Sequence, residues 1–219
     1  MYIEVTNETL EFPEPSSVVT QDYIDFLAKN FRLSHNGHHG LEHWMRVLIN
    51  GRLLAKKNGA DIQVVEHFAL VHDIGRINES YDAHHGEQAA KFVNSFSKWL
   101  NLDEHQLYLL TEACKHHSAG RIIPNVTIQT CWDADRLDLG RVGVKPKAAY
   151  LGTPLARDQK FLEQAYIRSK MCFVKEGFLD GQKNKLAFCF AIILFLGVYA
   201  DGISFCIWLY IRLGSSRRP

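Results

Sequence analysis

For most of its first 175 positions the chain sets apolar residues three and four apart, and it nowhere shows a convincing period of two. That spacing predicts helices. The first opens at Thr20 as N-cap, with Tyr23, Phe26, Leu27 and Phe31 on one face. A second runs from Leu41 to Lys57 and stops at Asn58–Gly59. A third is capped by Asp61 and carries Val64, Val65, Phe68 and Ala69. A fourth carries Ala89, Phe92, Val93 and Phe96, and a fifth, capped by Asp103, carries Leu107, Leu110 and Cys114. A sixth is expected from Thr127 as cap to Gly140, and a seventh from Thr153 with Pro154 in its first turn. The expected fold class is all-α, a helical bundle.

Patterning also divides the chain. Residues 1–17 are polar, with Pro13 and Pro15, and read as a leader; 18–175 hold the helical pattern. "GFLDGQKNK" makes 176–185 a polar linker, 186–213 is an apolar segment, and 214–219 is a basic tail. As a helix the segment's 28 residues would extend about 42 Å, against about 30 Å of bilayer hydrocarbon. Asp201 near the middle costs about 2.5–3.5 kcal/mol in a bilayer, which the surrounding Leu, Ile, Phe and Val offset. The expectation is an apolar C-terminal helix that anchors the chain to a membrane; a buried helix and a tail unrelated to the rest are the alternatives.

Charge and cysteine narrow the class. A net charge of +1 leaves no electrostatic footprint for a nucleic-acid polymer. Five cysteines form no C-x-x-C pair, which disfavours a disulfide framework and a thiolate zinc site and favours a reducing, cytoplasmic compartment. No basic-then-apolar signal stretch opens the chain.

The chemistry lies in a contrast. All 11 histidines fall between His35 and His117. Within the apolar run "FALVHDIG" the chain places His72 beside Asp73, and burying an imidazole and a carboxylate costs several kcal/mol unless each is paired. His43 on the second helix, with Arg46 one turn later, His85 at the start of the fourth, His117 at the end of the fifth and Asp135 on the sixth come from separate helices that a bundle can converge. An imidazole and carboxylate set suits a divalent ion: Mn, Co, Fe, Zn, Ni or Mg.

In order, His43, His72–Asp73 and Asp135 match the H…HD…D signature, and "HDIG", "ACKHH" and "CWDADRLDLGRVG" extend the match. The chain thereby resembles the HD-domain superfamily of metal-dependent phosphohydrolases over about residues 18–175. The resemblance implies an all-α core in which His43, His72, Asp73 and Asp135 bind a metal, with His85 and His117 a second metal position or phosphate contacts. It implies a small-molecule phosphoester as substrate, attacked by metal-activated water, with Asp73 accepting a proton and Arg46 and Arg136 available to a phosphoryl oxygen. The same six ligands also fit HD-type di-iron oxygenases, and a non-catalytic metal or nucleotide sensor is a third reading. Asp133 and Asp138 are expected to cap, to pair with Arg136 or Arg141, or to orient ligands. Arg76 is expected in a surface ion pair. His35, His38, His39, His67 and His105 are expected to be solvated or structural.

Overall fold

The structure, a computed structural model, describes residues 16–171, all within the unit Met1–Val174. The expected apolar helix over 186–213 lies outside the described residues. Among the described residues no helix is long and apolar enough to cross a membrane.

Eight α-helices and three short 3₁₀ turns make up the described residues, with no strand among them. The helices are α1 (Gln21–Asn30), α2 (Leu41–Asn58), α3 (Ile62–Val71), α4 (His85–Ser95), α5 (Glu104–His116), α6 (Val126–Arg136), α7 (Pro154–Arg157) and α8 (Gln159–Arg168). Local chemistry sets most boundaries. The Thr20 side chain accepts from Tyr23 N, and Asp61 accepts from Gln63 N and Val64 N. Asp103 and Gln106 close a capping box on α5. Gly59 ends α2 with φ at +75°, a left-handed conformation that Gly adopts without steric cost.

Helices α2, α3, α5 and α6 pack on one another, with α4 laid along α5 and α1 against α3. Trp44, Phe68, Leu48, Leu54, Leu70, Leu110 and Leu137 fill the space between them. Burying each such side chain is worth about 1.5–3 kcal/mol. Helix α2 is buried on nearly all sides, yet one stripe of it is polar: His43, Arg46 and Asn50. That stripe carries the site, and its polar groups are therefore held by partners rather than by water.

Three expectations are corrected. On α1 the buried face is Ile24, Leu27 and Ala28, continued by Phe31, while Phe26 leans outward onto Phe92 and Phe96. Helix α6 begins after Asn125, whose side chain accepts from Ile128 N; Thr127 lies inside the helix and its hydroxyl accepts from Asp61 N. The same helix stops at Arg136, and a 3₁₀ turn over Leu139–Val142 follows. The expected helix from Thr153 is two, because Asp158 leaves the helical region and caps α8 through Phe161 N.

His67 is buried on α3 with Nδ1 3.1 Å from the Tyr23 hydroxyl, and burial pushes its pKa down to about 4. The unfolded chain therefore binds a proton that the folded one refuses below about pH 6.5. Its contribution is complete above that pH and falls away as pH drops towards 4. A His67→Gln variant should lose less stability than the parent between pH 7 and 5 in urea unfolding, by about 1–2 kcal/mol. Equal losses in the two proteins would contradict this.

Candidate metal centre

Four imidazoles and two carboxylates from α2, the end of α3, α4, the end of α5 and α6 meet below a cleft. His43 Nε2 and His72 Nε2 are 3.0 Å apart, and His85 Nε2 and His117 Nε2 are 2.9 Å apart. Asp73 stands between the pairs. Its Oδ2 lies 3.5 Å from both His43 and His72 Nε2, and its Oδ1 lies 3.5 Å from His85 and 3.6 Å from His117. Asp135 Oδ1 adds an oxygen 3.4 Å from His43 and 3.9 Å from His72. All of these except Asp135, which is 16% exposed at its side chain, are closed off from solvent.

The hydrogen bonds on the other side of each ring assign its tautomer. His43 Nδ1 donates to Asp138 Oδ2 (2.7 Å), His72 Nδ1 to the Phe68 carbonyl (3.2 Å), His85 Nδ1 to the Asp82 carbonyl (2.5 Å) and His117 Nδ1 to the Cys114 carbonyl (2.7 Å). In its neutral form each ring turns a lone pair, not a proton, towards its neighbour. Lone pairs facing each other at 3 Å repel, and two carboxylates beside them deepen the negative potential. A cation removes that repulsion. The spacing also fits: donors about 2.1 Å from one ion sit about 3.0 Å apart when adjacent on an octahedron and about 3.4 Å on a tetrahedron. The donor set therefore suits one ion held by His43, His72, Asp73 and Asp135, and a second held by His85, His117 and the other oxygen of Asp73.

The electrostatics divide the rings: burial lowers His72, but Asp73 and Asp135 outweigh it and raise its pKa, whereas His43 and His85 are lowered. Burial opposes ionisation of Asp73, but His72, His117, His39 and His43 outweigh it and hold the carboxyl well below its usual range. Burial pushes His85 down to about 4, reinforced by His117, so its ring is neutral and able to ligate near pH 7. Burial, with Arg141, also lowers His43.

Local packing explains how the ligands meet. A Cβ on Gly75 would run into the backbone of His85 and Ala89, and a Cβ on Gly86 into the Cys114 and Lys115 carbonyls. Bare backbone at these two positions lets the turn after His72–Asp73 press onto α4, and α4 onto α5. That brings His85 to both Asp73 and His117.

Around the ligands lies a second layer. Asp138 joins His43 Nδ1 to Arg46 Nε (2.7 Å each), so Arg46 is buried behind the ligand and also bonded to Glu42 and the Met171 carbonyl. The structure thus places Arg46 on Asp138 and not in the cleft. Arg136 is likewise engaged, its guanidinium donating to the carbonyls of His117, Gly120 and Tyr150. One expectation is corrected here. Arg76 is no surface pair: its Nε donates to Asp73 Oδ1 at 2.8 Å with the side chain 12% exposed. His39, expected to be solvated or structural, is structural, being buried with Nδ1 2.6 Å from Asp73 Oδ2. Its position one residue before the N-cap of α2, four before His43, is the signal that could have found it. Asp133 points the other way, taking bonds from Gly152 N, Thr153 N, the Thr153 hydroxyl and the Gln129 amide.

Above the ligands opens a cleft of 720 Å³ whose walls include Asp73, His117 and Asp135 together with Arg76, Arg121, Arg136 and Arg141. Helical ligands from five elements beneath an arginine-lined cleft define a metal-binding helical domain, and residues 40–141 match the HD domain family. Over those residues the chain carries an HD domain. It is similar in fold to a predicted HD superfamily hydrolase from an uncultured Thermotogales bacterium, at 22% identity and a TM-score of 0.52, over 67% of this chain and 84% of that one. No curated protein matches the chain.

Proposed function

We propose that the chain is a metal-dependent hydrolase that cleaves a phosphoester of a small molecule. The carrying observation is Asp73, whose two oxygens face separate pairs of imidazole lone pairs at the floor of a cleft with four arginines in its walls. A divalent cation, when bound, supplies Lewis acidity that brings water to a reactive state near neutral pH. The chain's own residues do the rest. Asp73, Asp135 and the four histidines bind; Asp138 fixes the tautomer of His43, and Arg76 and His39 fix Asp73. Around the centre three carboxylates (Asp73, Asp135, Asp138) meet three guanidinium groups (Arg46, Arg76, Arg141), so any added divalent ion leaves an excess of positive charge that an anionic substrate offsets. The fold neighbour's description as a hydrolase supports the reaction class.

The second reading, a di-iron oxygenase, is favoured by the assembly of all six ligands in two groups sharing Asp73. The two readings separate on redox need. Chelator-stripped protein reloaded with Mn²⁺, Co²⁺ or Mg²⁺ should release phosphate from at least one phosphoester in a panel of nucleotides and sugar phosphates, without consuming dioxygen. Turnover that requires iron and dioxygen, with no phosphate released, would replace the hydrolase with the oxygenase.

A further inference from the structure

The four cleft arginines are not equivalent. Arg76 spends its donors on Asp73, on the Ser80 carbonyl (3.2 Å) and towards His85 Nε2 (3.4 Å). Arg136 spends its donors on three carbonyls of the cleft wall. Arg121 is exposed at the rim, and no hydrogen bond or ion pair fixes it among the described residues. Arg141 alone is both anchored and open. Its Nε donates to the His38 carbonyl at 2.9 Å and its Nη1 to the Asp138 carbonyl at 3.3 Å, while Nη2 has no partner among the described residues. The side chain is only 8% exposed, yet it lines the cleft, and Nη1 stands 3.9 Å from the ligand oxygen of Asp135.

A guanidinium held on two sides by backbone carbonyls has lost its rotamer freedom before any ligand arrives, so a hydrogen bond from its free edge costs little further ordering. Its charge is partly answered by Asp135 and Asp138, both at 3.9 Å from Nη1. A cation on Asp135 competes for that carboxylate and leaves the guanidinium free to take a new anion. The anion it can reach is one that also touches the metal position beside Asp135.

We propose that Arg141 is the substrate-binding arginine of the centre, donating to the phosphoryl group while that group sits against the ion held by His43, His72, Asp73 and Asp135. This inference rests on the phosphohydrolase reading. It assigns the role to a residue of the "LDLGRVG" turn in place of Arg46 and Arg136, whose donors are committed elsewhere.

The test is isothermal titration of inorganic phosphate into Mn²⁺-loaded protein, with metal content measured on the same samples. Arg141→Met should keep its metal and bind phosphate at least tenfold more weakly than the parent, while Arg157→Met, at an exposed arginine outside the cleft, stays within threefold. Phosphate affinity within threefold of the parent in metal-loaded Arg141→Met would overturn the assignment. If that variant loses metal, Arg141→Lys, which keeps a charge beside Asp135 but not the fork, carries the test: weakening of at least threefold supports the proposal and unchanged affinity overturns it. A parent protein that binds no phosphate when loaded, and releases none from any phosphoester, overturns the functional reading itself. A parent that does both, with Arg141→Met unchanged, overturns only the role of Arg141.

Discussion

Replacing Asp73 with Asn should strip the centre of metal at both positions at once. The carboxylate is the one ligand shared by the two histidine pairs, its oxygens 3.5–3.6 Å from all four Nε2 atoms. An amide offers one oxygen of lower basicity, and its NH₂ end turns donors towards whichever imidazole pair it faces. Arg76 and His39 also lose the charge they pair with, which weakens the support on both sides of the side chain. Metal analysis after dialysis should find less than a tenth of the parent's content, and far-ultraviolet circular dichroism should still report a helical chain. Single substitutions at His85 or His117 should remove one ion and leave the other. Full metal content in Asp73→Asn would contradict the shared-carboxylate arrangement.

The second large effect is structural and lies outside the ligands. Asp133→Ala should destabilise the domain by about 3–6 kcal/mol, a large part of the 5–15 kcal/mol typical of a folded domain. Asp133 is fully buried and takes bonds from Gly152 N (3.1 Å), Thr153 N (2.7 Å), the Thr153 hydroxyl (2.7 Å) and the Gln129 amide (2.8 Å). Alanine would leave all four donors without their acceptor, at about 1–3 kcal/mol for each that water cannot reach. The same contacts hold the segment that brings Ala149 and Tyr150 to the cleft, so the wall should loosen as well. Urea unfolding at pH 7 measures the loss, and a change below 1 kcal/mol would show that the clamp is dispensable.

Much of this was legible before the structure. The caps at Thr20, Asp61 and Asp103 and the stop at Gly59 depend on residues within a few positions of each other, and their chemistry reads directly from the chain. The six candidate ligands were singled out by their H…HD…D order and by coming from separate helices, and the structure brings them together. What failed was of two kinds. Where two cap-capable residues lie close together, as Asn125 and Thr127 do, spacing does not choose between them; packing does, since Thr127 is taken by Asp61 N on α3. The break at Asp158 was hidden because the apolar spacing continues across it. The second kind is tertiary. Asp138, expected to cap, to pair or to orient a ligand, does orient His43, but which ligand it serves from 95 residues away has no local signature, nor has the reach of His39 to Asp73 from 34 away. The arginines were misplaced for that reason: "LDLGRVG" leaves the helix at Arg136, and only the 3₁₀ turn after it shows that Asp138 meets His43 while Arg141 meets the cleft.

Titration of Mn²⁺ into chelator-stripped protein, read by calorimetry with metal analysis as a check, tests the central claim most directly. The account predicts two equivalents bound by the parent chain and one by His85→Ala or His117→Ala. Binding of a single equivalent by the parent, unchanged when His85 or His117 is removed, would contradict a centre in which Asp73 serves two ions.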